Sequence, residues 1–265
     1  MLTPANTLLD IRKRYQEDLR SDKVTLLIYG DMGVGKTSLL TTARAPILVH
    51  GFDPGGLVTV RDEIDSGIII PDERFAVEDP LNPTAFDLWN RECGRLKRDN
   101  IFDAIGTYAI DSATTWAQCA MDVVLKKAGR QGGPPYKQDW LPQMAMLETG
   151  IRGLMALPCD VVLIAHSDIS KDERTGKMFI APMLTGKLSI RIPLLFDEIY
   201  CAQTEETSKG INYRLLTKPT GLYRARTRLG KKGIFDTYEE PNIKALLRKA
   251  GRPCEDREIM SELKS

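Results

Sequence analysis

The chain has 265 residues, 37 of them Lys or Arg and 36 Asp or Glu, for a formal net charge of +1. An apolar share of 42% excludes a disordered chain, and the near-zero charge balance is no signature of nucleic-acid binding. No apolar run approaches the roughly 18 residues of a membrane span, so no membrane partner is expected.

Cys93, Cys119, Cys159, Cys201 and Cys254 are odd in number, scattered and never spaced as CxxC, which argues against a disulfide framework and a zinc ribbon. With His50 and His166 as the only histidines, any metal is expected to be a hard one held by oxygen. Charges at Asp10, Arg12, Lys13, Arg14, Glu17 and Asp18 break up any signal-peptide core. The expectation is a cytoplasmic globular protein of one large domain or one and a half.

Pro4 to Arg20 places Leu8, Ile11, Tyr15 and Leu19 at helical spacing and reads as an amphipathic surface helix. Val24 to Tyr29 is a short apolar strand followed by a glycine-rich turn, and Thr37 to Arg44 then reads as helical. Ile47 to Phe52 is a strand ended by Asp53-Pro54-Gly55-Gly56, and Arg74 to Val77 is a third strand candidate. Pro83 to Lys97 is a helix with Phe86, Trp89, Cys93 and Leu96 along one side. Tyr108 to Ile110 is a strand closed by Asp111, and a helix over Thr115 to Lys127 leads into a loop from Gly129 to Asp139. Leu141 to Leu157 is helical and Val161 to Ala165 a buried strand. Glu198 to Ala202, Ile211 to Thr217 and Leu222 to Leu229 read as antiparallel strands, Ile243 to Ala250 as a last helix, and the tail as charged and loose. Strands alternating with helices predict an α/β fold with a mostly parallel central sheet, helices on both faces and a C-terminal antiparallel extension.

Gly30-Asp31-Met32-Gly33-Val34-Gly35-Lys36-Thr37 fits the phosphate-loop pattern G-x-x-x-x-G-K-[ST], with Ser38 next to it. Glycines let successive N–H groups turn toward phosphate oxygens, and the following helix adds its positive end. Lys36 would reach the β- and γ-phosphates of ATP, and the Thr37 hydroxyl would ligate Mg²⁺. A chance match on a glycine-rich turn is the plainer reading; the strand before and the helix after speak for the nucleotide. A partner carboxylate is expected for the metal, and Asp111, ending a strand roughly 75 residues on, suits it. Asp111 also suits a plain helix N-cap, and the two roles are compatible.

Three further stretches carry a resemblance: His166-Ser167 after the strand Val161–Ala165, Pro182-Met-Leu-Thr-Gly186-Lys187 followed by Phe196-Asp197-Glu198, and Arg224-Ala-Arg226-Thr-Arg228-Leu-Gly230. With the phosphate loop and Ile110-Asp111-Ser112, this order resembles the phage-encoded RecA/RadA-like P-loop ATPases, including their single-strand annealing proteins, over roughly residues 24 to 251. The resemblance implies a RecA-like core that assembles as a ring or filament on single-stranded DNA, with a single-strand-binding protein as a further partner. It implies that His166 senses the γ-phosphate and that Arg226 or Arg228 reaches a neighbour's nucleotide, since Arg226-Thr-Arg228-Leu-Gly230 looks like the K-N-R-F-G motif of RadA proteins. One departure is that Gly55 stands where such enzymes carry a catalytic Glu, which leaves Asp53, or Asp62 and Glu63, to orient the attacking water.

Lys209 to Lys232 holds eight Lys or Arg in 24 residues with no Asp or Glu. As a strand, its Arg224, Arg226 and Arg228 share one face and suit phosphate, although a solvated edge strand would look the same. Lys126, Lys127, Arg130, Tyr136 and Lys137, with Trp140 beyond, combine cations and aromatics as single-strand binding requires, and the segment from Asp168 to Lys187 is a second candidate loop. A flexible connection accounts for the first loop as well. His50 is taken as structural. The expected division is an N-terminal helix over 1–22, an ATPase domain over 23–251 and a charged tail over 252–265. The expected function is a Mg-ATP-dependent ATPase acting on single-stranded DNA in recombination or annealing; the alternatives are a nucleotide-gated annealing protein with little hydrolysis and a packaging or helicase-type translocase.

Overall fold

A computed structural model of the chain describes residues 4–18, 22–172, 175–185, 191–208 and 210–259. Five strands form the parallel core: β1 (Thr25–Gly30), β2 (Ile47–Gly51), β3 (Ile69–Asp72), β4 (Thr107–Asp111) and β5 (Asp160–Lys171). Beyond β5, β6 (Met178–Pro182) folds back antiparallel onto Ser167–Lys171. The first residues of β7 (Glu198–Thr207) run parallel to β1, and its remainder forms a hairpin with β8 (Gly210–Leu216), which pairs with β9 (Tyr238–Glu239). The order across the sheet is β3-β2-β4-β5-β1-β7-β8-β9. The phosphate-loop strand β1 and the Asp111 strand β4 are therefore separated by β5.

The described helices are α1 (Pro4–Glu17), α2 (Lys36–Leu39), α3 (Arg61–Asp65), α4 (Ala85–Arg98), α5 (Ile101–Ala104), α6 (Ala113–Lys127), α7 (Trp140–Met155) and α8 (Ile243–Lys249). The central stretches Leu26–Tyr29, Tyr108–Ile110 and Val161–Ala165 are apolar and buried because both faces of the sheet are covered. Leu27, Tyr29, Tyr108, Ile110, Val161 and Leu163 share a core with Trp89 of α4, Trp116 of α6 and Leu147 and Ile151 of α7. Their alternates Leu26, Ile28, Ala109, Val162 and Ile164 pack with Leu39, Leu40, Val60, Ile243 and Leu246. This period-two division across one sheet is the α/β arrangement expected from the sequence, with the antiparallel extension at the β7–β9 end.

Several boundaries differ from expectation. The third strand is Ile69–Asp72, not Arg74–Val77. It is an edge strand containing Pro71, where a missing N–H costs no ladder bond; Phe75 instead stacks on Phe52. The helix expected over Thr37–Arg44 is the single turn α2 followed by a 3₁₀ turn, Leu40–Thr42. No strand forms over Leu222–Leu229, which makes only isolated bridges at Tyr223 and Arg226. Its N–H groups at Arg228 and Leu229 go to the buried Glu198 carboxylate, at 2.8 and 2.7 Å, rather than to a ladder. The tail is not loose over its described part. Arg257 donates to the carbonyls of Asp103 and Pro158 at 2.6 and 2.7 Å, and Asp256 accepts from Ala45 N–H at 2.7 Å. The apolar residues of α1, by contrast, are all exposed; Leu19 and Arg20 lie outside the described residues.

Candidate nucleotide site

The loop after β1 turns twice through left-handed glycines, Gly33 at φ 76° and Gly35 at φ 81°, which a side chain would strain. Gly30 meets a different limit: a Cβ there would sit 2.5 Å from the Ala202 carbonyl oxygen of β7. Lys36 is buried, and its ammonium donates to the carbonyls of Gly30 and Asp31 within the loop. Burial lowers its pKa from the ordinary lysine value, against the pull of Asp111, Asp31 and Asp53.

Thr37 Oγ1 donates to Asp111 Oδ2 at 2.6 Å. Ser112, not Asp111, caps α6, accepting from Thr115 N–H, so the Asp111 carboxylate is left to Thr37. Burial pushes the Asp111 pKa up to about 6; the Thr37 hydroxyl opposes this, Asp53 adds to it and Lys36 opposes it. A hydroxyl and a carboxylate side by side are hard oxygen donors. Mg²⁺ takes one or two such protein ligands together with phosphate and water, so the pair fits that ion. Among the described residues no group of three His, Cys, Asp or Glu converges on a metal position.

Lys36, Thr37 and Asp111 open into a cleft of about 590 Å³ whose wall also holds Asp53, His166 and Tyr213. Asp53 accepts from Ser112 Oγ at 3.0 Å and from Thr115 Oγ1. Its other oxygen lies 3.5 Å from His166 Nε2. Asp31 accepts from Ser167 Oγ, which ties the loop to β5 just past its parallel pairing with β1, while Met32 and Ser38 are exposed at the cleft mouth.

The fold thus gathers the loop Gly30–Ser38 with Asp53, Asp111 and His166. Asp62 and Glu63 lie on α3, outside the cleft lining. The three arginines are elsewhere. Arg224 lies over the Phe179 ring at 3.9 Å, and Arg226 donates to the carbonyls of Pro193 and Phe196 at 2.8 and 2.5 Å. Arg228 is half-exposed and pairs with Asp197 at 3.3 Å. Mutual repulsion among them is met by carbonyls, a ring face and a carboxylate.

The loop between α6 and α7 is knotted rather than open. Arg130 pairs with Asp139 at 2.5 Å and lies 4.4 Å from the Tyr136 ring centroid, and Tyr136 N–H also donates to Asp139. Lys126 donates to Asn82 and Pro83, while Lys127 and Lys137 are exposed. The second candidate loop is the β5–β6 hairpin; its residues 173, 174, 186 and 187, like Lys209, lie outside the described residues.

Sequence reasoning misses Tyr213 and the fixing of Asp53. Tyr213 returns to the cleft on β8, with its ring 3.3 Å from where a Gly35 Cβ would stand. That contact has no local signal. Ser112 and Thr115 have one: a Ser-x-x-Thr at the start of a helix, three residues apart and hence on one side.

A family model described as an AAA domain matches residues 22–229. Among solved structures, the chain is similar to a KaiC-like protein from Pyrococcus horikoshii OT3, at 14% identity and TM-score 0.40 over 73% of this chain and 78% of that one. It is also similar to the flagellar accessory protein FlaH from Methanocaldococcus jannaschii, at 10% identity and TM-score 0.44 over 86% of this chain and 88% of that one. No curated protein matches the chain.

Proposed function

Because the chain belongs to the AAA domain family, we propose that it binds Mg-ATP in the Lys36–Asp111 cleft and hydrolyses it in work on single-stranded DNA, in recombination or annealing. The observation that carries the nucleotide reading is the 2.6 Å contact of Thr37 with Asp111 beside the buried Lys36. A phosphate loop, its ammonium and a strand-end carboxylate meet in one cleft.

In this reading the amides around Gly33 and Gly35 cradle the β- and γ-phosphates, and Lys36 leaves its own loop carbonyls for the phosphate oxygens. Thr37 and Asp111 would hold Mg²⁺, which neutralises charge on the β- and γ-phosphates. His166 and Asp53 stand at the γ-phosphate end, since they share the cleft wall with Lys36 and Thr37. Tyr213 closes the cleft beside Gly35 and offers a ring face to the base.

The DNA part is supported by charge. Lys209 to Lys232 is free of acidic residues, and Lys127 and Lys137 are exposed at the α6–α7 connection. Assembly into a ring or filament would bring one subunit's arginine to another's nucleotide. Arg228, exposed and held by Asp197 and the Leu194 carbonyl at 3.3 and 3.2 Å, suits this role better than Arg226, which is less exposed and donates to two carbonyls at 2.8 and 2.5 Å. A single-strand-binding protein belongs to the same setting as a partner.

A second reading, a nucleotide-gated annealing protein with little hydrolysis, is favoured by Gly55 at the position of the expected Glu. The test is ATP turnover with and without single-stranded DNA over a salt series. Stimulation that fades with salt supports the DNA-linked ATPase; indifference to DNA contradicts it. Annealing at full rate by Lys36→Ala would favour the second reading.

A further inference from the structure

Asp53 and Asp111 are the only carboxylates lining the phosphate cleft among the described residues, and Asp111 is engaged by Thr37. Gly55 stands where a Glu is expected, and Glu73, whose side chain lies against Gly51 at the end of β2, is outside the cleft lining. One helical turn organises an alternative. Ser112 and Thr115, at the start of α6, both donate to Asp53 Oδ1. Thr114, between them, accepts from the His166 main-chain N–H at 3.0 Å. The turn therefore holds both members of a pair whose facing atoms, Asp53 Oδ2 and His166 Nε2, are 3.5 Å apart.

We infer that His166, oriented by Asp53, is the general base for hydrolysis, with Ser112 and Thr115 as positioning residues. Asp53 spends one oxygen on two hydroxyl donors and turns the other to the imidazole, which weakens it as a base. An imidazole whose Nε2–H faces a carboxylate keeps its other nitrogen as a proton acceptor. Orientation of a base by a fixed carboxylate is the logic of the Ser-His-Asp constellation, here applied to water by the partly buried Asp53. The water oxygen forms a bond to the γ-phosphorus while the bond from that phosphorus to the β–γ bridging oxygen breaks. The electron pair leaves with ADP, and the water proton passes to His166 Nδ1, from which it is released to solvent or phosphate.

This inference rests on the Mg-ATP reading, and the experiment separates the two. ATP affinity is measured by calorimetry for the parent protein and for His166→Ala, His166→Gln, Thr115→Val and Thr115→Ser, and turnover is measured in parallel. The parent must bind and hydrolyse ATP. His166→Ala should keep its ATP affinity within about twofold and lose about a hundredfold in kcat, with added imidazole restoring turnover in proportion to its concentration. Thr115→Val should lower kcat about tenfold at unchanged KM, and Thr115→Ser should recover it. If His166→Gln turns over at the parental rate, His166 only contacts phosphate and the inference fails. It fails equally if imidazole restores nothing in a His166→Ala protein that binds ATP normally, or if the parent binds ATP without turnover, a result that leaves nucleotide binding intact. A parent that binds no ATP overturns the reading beneath it.

Discussion

The Thr37 hydroxyl donates to Asp111 at 2.6 Å across 74 residues of sequence. The contact joins the phosphate loop to the end of a strand two places away in the sheet, with β5 between them. In the proposed reading the pair holds the divalent ion, and the ionisation of Asp111 then controls its binding.

Burial raises the Asp111 pKa to about 6. The sign follows: a carboxyl with a raised folded-state pKa contributes stability below its unfolded value near 3.8 and loses it as pH rises through about 6. Metal binding runs the other way, because Mg²⁺ needs the carboxylate. Magnesium-dependent ATP affinity is therefore expected to weaken by about tenfold between pH 7 and pH 5. Asp111→Asn should lower the affinity at pH 7 and remove that pH dependence. Calorimetric titration at several pH values, with and without Mg²⁺, checks both.

Gly35→Ala places a Cβ at φ 81° and 3.3 Å from the Tyr213 ring. Strain of about 1–3 kcal/mol is expected in denaturant unfolding, with ATP affinity lowered. Tyr213→Ala should leave stability nearly unchanged and weaken binding of ATP and ADP alike, by about 0.5–1.5 kcal/mol if a base stacks there. Parallel titrations with inorganic triphosphate, which has no base, should be insensitive to the tyrosine.

Arg226 and Arg228 are expected to separate by assay. Arg226→Ala removes donors from two carbonyls and should cost about 1–3 kcal/mol of stability. Arg228→Ala breaks an exposed pair with Asp197 and an exposed contact with the Leu194 carbonyl, and should cost about 1 kcal/mol or less. Mixing Arg228→Ala with Lys36→Ala subunits should restore some turnover if the nucleotide is shared between subunits; no recovery at any ratio, with both variants folded, contradicts the shared site.

His50 and Tyr108 make a buried polar chain beneath α4. Trp89 Nε1 donates to the Tyr108 hydroxyl at 2.8 Å, and that hydroxyl meets His50 Nδ1 at 2.9 Å. Burial holds the His50 pKa down at about 4, with Asp72 pulling the other way. The imidazole is neutral in the folded protein, so its contribution to stability is present above pH 6.5 and lost as pH falls from there toward 4. Tyr108→Phe should cost about 1–3 kcal/mol by leaving two buried groups unpaired. The parent should lose denaturant resistance between pH 6.5 and 4 relative to His50→Gln, which has no such titration.

The phosphate loop is legible in the sequence because its eight residues are contiguous and each has a local reason. The parallel core is legible because Val24–Tyr29, apart from Thr25, and Tyr108–Ile110 and Val161–Ala165 throughout are apolar, as strands covered on both faces are. Leu222–Leu229 misleads because alternation also occurs where side-chain carboxylates replace ladder partners, and nothing local marks Glu198 as the acceptor. The strand Ile69–Asp72 is hidden by its shortness and by Pro71. The Asp53 cluster joins residues 59 and 62 positions apart, and Tyr213 returns to the cleft only through the β7–β8 hairpin; such meetings are set by topology, which residue patterns do not carry.

Calorimetric titration of the purified protein with ATP in the presence of Mg²⁺, beside Lys36→Ala, tests the central claim most directly. Saturable binding by the parent and a loss of at least about tenfold in the variant are the predicted results. No uptake of ATP or ADP by the folded parent, or equal affinity without the Lys36 ammonium, would contradict the account.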